Sequence, residues 1–106
     1  MSDGVHPDSG DAGLFDAIDP KLTVFALANG MDLAKGDDHR RLEWFTEGLE
    51  RGILIEAEAT GSFRVSVMSW PTGSTEIRNE AGIGEGISAE DLAGTLPDAI
   101  DSANGL

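Results

Sequence analysis

Glu56 and Glu58 are the carboxylates of this chain set among bulky apolar neighbours, in the run Ile53-Leu-Ile-Glu-Ala-Glu-Ala. A carboxylate pair does acid–base chemistry when one member sits in an apolar pocket and the other in water. Here the alternation puts both on one strand face, with Glu58 placed to meet Arg64 and Glu56 left in solvent. His39 and Glu43 stand four apart behind Asp37 and Asp38. On a helix that makes half a metal site, yet no third or fourth ligand follows at a useful spacing, and the Asp-rich calcium loop is missing. Ser66 and Ser69 have no neighbouring His to activate them. Gly82-x-Gly84-x-Gly86 precedes a helix start, but the dinucleotide fingerprint needs a different spacing and a phosphate loop ends in Lys. Glu85, Glu90 and Asp91 would also repel a phosphate there. No catalytic residue, metal or cofactor is assigned.

Charge is the other chemical resource. Twenty acids face seven bases in 106 residues, a net of −13. Residues 1–38 contribute −6, with every acid an Asp, and residues 81–106 contribute −5 with no base at all. The middle, 39–80, holds all five Arg and nets only −2. Such a surface keeps a chain soluble and repels phosphate backbones and anionic membranes, so direct nucleic-acid or membrane binding is not expected. It could instead imitate a nucleic acid. If 39–51 is helical, Glu43, Glu47 and Glu50 form a row with steps of roughly 6 Å. Glu56 and Glu58 stand about 7 Å apart along a strand. Both spacings approach that of phosphates along one strand, which would suit a basic DNA- or RNA-binding partner.

Several elements must position these groups. Residues 1–13, rich in Gly, Ser and Asp, read as a disordered acidic tail, and 14–106 as a single small α+β domain. Asp19-Pro20 signals a helix start, and Gly30 a stop, for a helix over 20–29 with Leu22, Phe25 and Ala26 inward. Residues 31–36 read as a connection. Residues 39–51 fit an amphipathic helix with Leu42, Phe45 and Leu49 inward and Gly52 as its C-cap. They also fit a strand at 41–46 with Leu42, Trp44 and Thr46 on one face and a turn at Gly48–Gly52. A hairpin follows, its loop Thr60-Gly61-Ser62 pairing Ala59 with Phe63, Ala57 with Val65 and Glu58 with Arg64. A third strand at 75–80 would set Ile77 opposite Met68. Residues 81–87 read as a glycine-rich link. Ser88 then caps a C-terminal helical segment that Pro97 kinks or splits, with Leu92, Leu96 and Ile100 as its stripe. The expected fold is therefore α+β: helix, second helix, three-stranded antiparallel meander and C-terminal kinked helix. A four-stranded sheet with 41–46 as a strand is the alternative.

The meander carries apolar residues on both faces. Leu54, Met68, Trp70 and Ile77 share the face of Glu58 and Arg64, and something must cover them: a helix, a partner chain or a ligand. With no Cys, disulfides and thiolate chemistry are excluded. No secretory signal or run of about 18 apolar residues appears, so a cytoplasmic protein is expected. The acidic, Lys-poor mix resembles the cytosolic proteome of salt-in extreme halophiles. The function expected is non-catalytic: contact with a protein partner, or self-association into a homo-oligomer, through the Leu54/Met68/Trp70/Ile77 face. The nucleic-acid mimic built on Glu43, Glu47, Glu50, Glu56 and Glu58 is the alternative, and a small-molecule enzyme the third. Salt adaptation makes a measurable prediction. At 1 M salt the Debye length is about 3 Å, so far-UV circular dichroism should show the fold appearing only above about 1 M KCl. Full structure in dilute buffer would overturn this and leave the charge to be explained by a partner.

Overall fold

Period-two alternation governs the middle of this chain more widely than its local signals suggest. The structure, a computed structural model, describes residues 7–46, 48–58, 61–74, 76 and 79–106, with side chains from residue 15 onward. Helix α1 (Pro7–Asn29) leads into strands β1 (Asp32–Lys35), β2 (His39–Thr46), β3 (Leu49–Ala57), β4 (Phe63–Pro71) and β5 (Asn79–Ile87), and helix α2 (Ala89–Asn104) closes the chain. The strands form one antiparallel meander in the order β1-β2-β3-β4-β5. Both helices pack on the same face. Phe15, Ile18, Leu22 and Ala26 of α1 and Leu92, Leu96, Ala99 and Ala103 of α2 bury themselves against Leu42, Ile53, Ile55, Phe63, Val65 and Val67. The architecture is α+β in two layers, helices over sheet.

Residues 39–46 and 49–51 are strand, not helix. Leu42 is fully buried and Trp44 partly so on the helix-covered face, while Phe45, expected inward, points to the other side and is exposed. Two residues, 47 and 48, separate the paired Thr46 and Leu49. Gly48 has φ +83°, which a two-residue hairpin asks of its loop and which only glycine adopts freely. Gly52, expected as a helix cap, lies inside β3.

The β3–β4 loop also closes one residue earlier than its pattern suggests. Glu58 N–H donates to Ser62 O at 2.9 Å and Gly61 N–H to Glu58 O at 3.0 Å. Gly61 takes φ +85°, as the last residue of a three-residue bulged hairpin loop does. Ala57 therefore faces Phe63, and Arg64 faces Glu56 rather than Glu58. The slip is by two in partner number, so every side chain keeps its face. Residues 31–36, read as a connection, supply β1. The glycine-rich link at 81–87 is the body of β5, where Glu80 rather than Ile77 stands opposite Met68.

Neither internal proline ends its helix. Of the acidic tail read over 1–13, residues 1–6 lie outside the described residues and 7–13 are the first turns of α1. Pro20 and Pro97 both point to solvent, where the carbonyls they leave without a helical donor can bond water. Thus α2 is continuous. Ser88 caps it, its Oγ accepting from Asp91 N–H at 3.1 Å. Its last turn has no base of its own. Arg51 from β3 serves instead, with Nη1 donating to Ala103 O at 2.6 Å and Nε to Thr46 Oγ1 at 2.9 Å, and a cation at a helix C-terminus is favourable. Trp44 Nε1 adds a bond of 3.3 Å to Asn104 Oδ1.

Asp19 explains why the start signal at Asp19-Pro20 misleads. Its carboxylate does not cap a helix; it holds Arg40 of β2 in a fork, Nε to Oδ1 at 2.7 Å and Nη2 to Oδ2 at 3.1 Å. Arg40 Nη1 donates to the carbonyls of Gly36 and His39 at 2.8 and 2.9 Å, and the guanidinium lies 4.1 Å from the Phe15 ring centroid. The Arg40 side chain is 10 % exposed and that of Asp19 17 %. Removing one partner strands the other's charge in a nearly dry site. Asp19→Ala should therefore lower unfolding stability by about 3 kcal/mol, and Asp19→Ala combined with Arg40→Met should recover most of that. Urea titration in the salt that supports folding reads both values. A single-variant loss below about 1 kcal/mol would mean the pair does not hold α1 in place.

Candidate interaction surface

The face of the sheet turned away from the helices is a lattice whose rows follow from the strand register. One row runs Asp32, Glu43, Gly52, Met68, Glu80; its neighbour runs Ala34, Arg41, Leu54, Ser66, Gly82. Phe45, Glu50 and Trp70 form the row toward one end, and His39, Glu56 and Arg64 the row toward the other. Leu54, Met68 and Trp70 thus share one face, as their alternation implies. Ile77 lies outside the described residues.

Trp70 does not stand up from this surface. Its ring lies over Gly52 of the neighbouring strand, where a Cβ built on that glycine would sit 3.4 Å from Cη2 and Cζ3. The Arg41 guanidinium is 5.5 Å from the indole centroid and is itself tied to the Glu43 carboxylate. A glycine in a strand interior removes a side chain and leaves backbone uncovered. The indole fills that place, and Trp70 and Met68 are only 7 % and 2 % exposed. Leu54 is half-buried beside them. The aromatic that does project is Phe45, 60 % exposed. The strand reading of 41–46 holds its signal: if Leu42 and Trp44 face inward, Phe45 cannot.

The carboxylates take up places different from those of a phosphate-like row. Because 39–46 is a strand, Glu43 and Glu50 are not helical neighbours, and Glu47 lies outside the described residues. Glu43 pairs with Arg41, and Glu56 with Arg64 at 3.1 Å. Glu58 turns to the chain itself, its Oε1 accepting from Gly86 N–H at 2.7 Å and Ser62 Oγ at 3.1 Å, and so fastens the β3–β4 loop to the end of β5. A shallow depression of about 400 Å³ opens between β4 and β5, lined by Arg64, Val65, Ser66, Gly82, Ile83, Gly84 and Glu85. It sits where the register shifts between Phe63 and Ser66.

The remaining chemistry-bearing residues are occupied locally. His39 Nδ1 lies 3.1 Å from Asp38 Oδ1, and its ring packs so closely on Gly36 that a Cβ there would fall 2.1 Å from Cε1. Ser69 is buried, its Oγ accepting from Asn79 Nδ2 at 3.4 Å. Among the described residues no three His, Asp or Glu side chains gather as a metal site would need, and no helix is long and apolar enough to cross a membrane.

Comparison with protein-family models, with curated proteins and with solved structures finds no match for this chain. The site is thus read from its own geometry. The Gly52–Trp70 contact gives a direct check. Valine at position 52 would push its γ-carbons into the indole, an overpacking that costs about 1–3 kcal/mol. In a Trp44→Phe background, which leaves one indole to report, Gly52→Val should red-shift Trp70 fluorescence and lower the urea midpoint. An unshifted spectrum would show that the indole does not rest on the glycine.

Proposed function

We propose that this protein is a non-catalytic contact module that binds a protein partner on the open face of its sheet. The observation that carries the reading is the placement of both helices on one face, which leaves the other with no helix over it among the described residues. A one-sided sheet normally turns polar side chains to water. Here Phe45 projects from that side instead, with half-buried Leu54 and the nearly covered Met68 and Trp70 on the same face. Aromatic residues, Met and Arg are the types enriched where proteins meet.

The charge around this patch describes the partner. Asp32, Glu43, Glu50, Glu56 and Glu80 outnumber Arg41 and Arg64 on the face. A complementary surface has an apolar centre with basic groups at its rim, so that rim charges steer the encounter and the apolar centre holds it. The nucleic-acid mimic is the weaker proposal, because Glu43, Glu56 and Glu58 already serve partners inside the chain. Salt adaptation of the remaining surface and a cytoplasmic setting belong to the same proposal, with molar salt screening self-repulsion.

Phe45 is the group whose loss should cost the partner most and the fold least. Phe45→Glu should leave circular dichroism and the urea midpoint within about 0.5 kcal/mol of the parent. The partner retained by the parent on an affinity column in high salt should then be lost. That partner, once purified, should bind the parent and not the variant by calorimetry. Equal retention by both would remove the open face as the contact surface.

A further inference from the structure

Helix α1 has a second apolar face that the fold does not use. Its inner face carries Phe15, Ile18, Leu22 and Ala26. On the outer side Ala17, Pro20, Val24, Leu27 and Ala28 all point to solvent, Val24 being 67 % and Leu27 79 % exposed. An open groove of about 530 Å³ runs beside them, lined by Pro20, Lys21, Val24, Phe25 and Ala28. From Ala17 to Asn29 the only charged residues are Asp19, which is taken by Arg40, and Lys21. In a chain of net charge −13, this strip offers another copy little repulsion.

The spacing of the strip is that of a helix–helix seam. Ala17, Pro20, Val24 and Leu27 follow one another at three, four and three residues, the a and d positions of two heptads. Asp16 then occupies a g position and Lys21 the next e position, both exposed. In a parallel pair the g residue of one helix faces the e residue five places later on its partner. Asp16 therefore meets the second copy's Lys21 twice, once on each side of a two-fold axis. In an antiparallel pair, g faces g and e faces e, so like charges would oppose each other. We propose that the protein self-associates as a parallel two-fold pair through the outer face of α1, with Asp16 and Lys21 setting the orientation.

The energetics fix how strong this pairing is. The seam is short, about 11 residues or 17 Å of helix, and buries less area than a standard stable dimer of about 1,600 Å². Exposed ion pairs orient more than they bind. Two copies at −13 repel each other, and salt removes that repulsion. The pair is accordingly weak, concentration-dependent and favoured by high salt. The inference rests on the contact-module reading only in making self-association one of its modes; the surface is a different one.

Sedimentation equilibrium of the full chain in about 2 M KCl, across micromolar to near-millimolar concentration, tests the pairing. The expected result is mass rising from monomer to dimer, with Val24→Asp/Leu27→Asp remaining monomeric and its circular dichroism unchanged. Since the chain has no Cys, Ala17→Cys and Leu27→Cys introduced singly report orientation. Each should form a homodisulfide on mild oxidation, several-fold faster than an Asp101→Cys control on α2. A monomer at every concentration, or a dimer that survives the α1 double variant, overturns the proposal. Cross-linking only when the Ala17→Cys and Leu27→Cys chains are mixed overturns the parallel arrangement. A dimer lost in Phe45→Glu but kept in the α1 variant moves self-association to the sheet face, and sinks this inference while leaving the open-face reading standing.

Discussion

One guanidinium in a nearly dry site decides how this chain is put together. Arg40 is on the helix-covered face of β2, at a position that the strand alternation would give to an apolar residue. Its donations go to Asp19 of α1, to the carbonyl of Gly36 in the β1–β2 turn and to that of His39 at the start of β2. These three anchors belong to three elements, so a single side chain fixes α1, the tight turn and the edge of the sheet at once. A buried pair of this kind is a poor source of net stability compared with an apolar substitute, but it is costly to satisfy wrongly. It therefore selects one docking of α1 among the several that a helix apolar on two sides would otherwise permit.

The same economy applies to the other described arginines. Arg51 closes the C-terminus of α2, Arg41 holds Glu43 and lies against Trp70, and Arg64 holds Glu56. Arg64 is exposed, as are Lys21 and Lys35. The near-neutral middle of the sequence thus becomes the sheet, where charges are paired at short range. Among the described residues, the acids with no arginine partner lie mainly on both helices, in the β1–β2 turn and along β1, β3 and β5. The outer side of α1 is left poor in charge, whereas the open sheet face keeps an acidic excess. Trp70 lying on Gly52 belongs to the same pattern, since it limits how much apolar surface the open face shows.

What the sequence made legible, and what it hid, follows from the range of the interactions involved. The hairpin strands, the shared face of Leu54, Met68 and Trp70, and the Ser88 start of α2 rest on alternation or capping within a few residues, and those were readable. Residues 39–51 were not, because Leu42, Phe45 and Leu49 fit a helical period as well as Leu42, Trp44 and Thr46 fit a strand. Pairing with β1 and β3 resolves the tie, and no local preference encodes it. Asp19-Pro20 is a sound local signal defeated by a partner 21 residues away. The glycines of β5 read as a linker because strands rarely hold so many; a bulge and the Glu58 bond to Gly86 accommodate them. Phe45 is hidden by the helix reading, which turns it inward, and the stripe Leu22, Phe25 and Ala26 says nothing of Val24 and Leu27 on the other side of α1.

The two proposed contact surfaces lie on opposite sides of the two-layer fold, and this constrains what they can do together. α1 packs its inner side on the sheet, so its outer side faces away from the open sheet face. In a parallel α1 pair the layers would run sheet, helix, helix, sheet, and the two open faces would point outward in opposite directions. Neither would obstruct the other, and a partner bound on one would add no clash to the second. Such a pair is bivalent by geometry. A weak seam and a modest contact face could then reinforce each other wherever partners are themselves arrayed or repeated, because the second contact becomes intramolecular once the first has formed. Salt acts unequally on the two surfaces. Screening −13 against −13 favours the seam, while the apolar centre of the sheet face loses little, so the arrangement suits an environment in which electrostatic attraction is short-ranged.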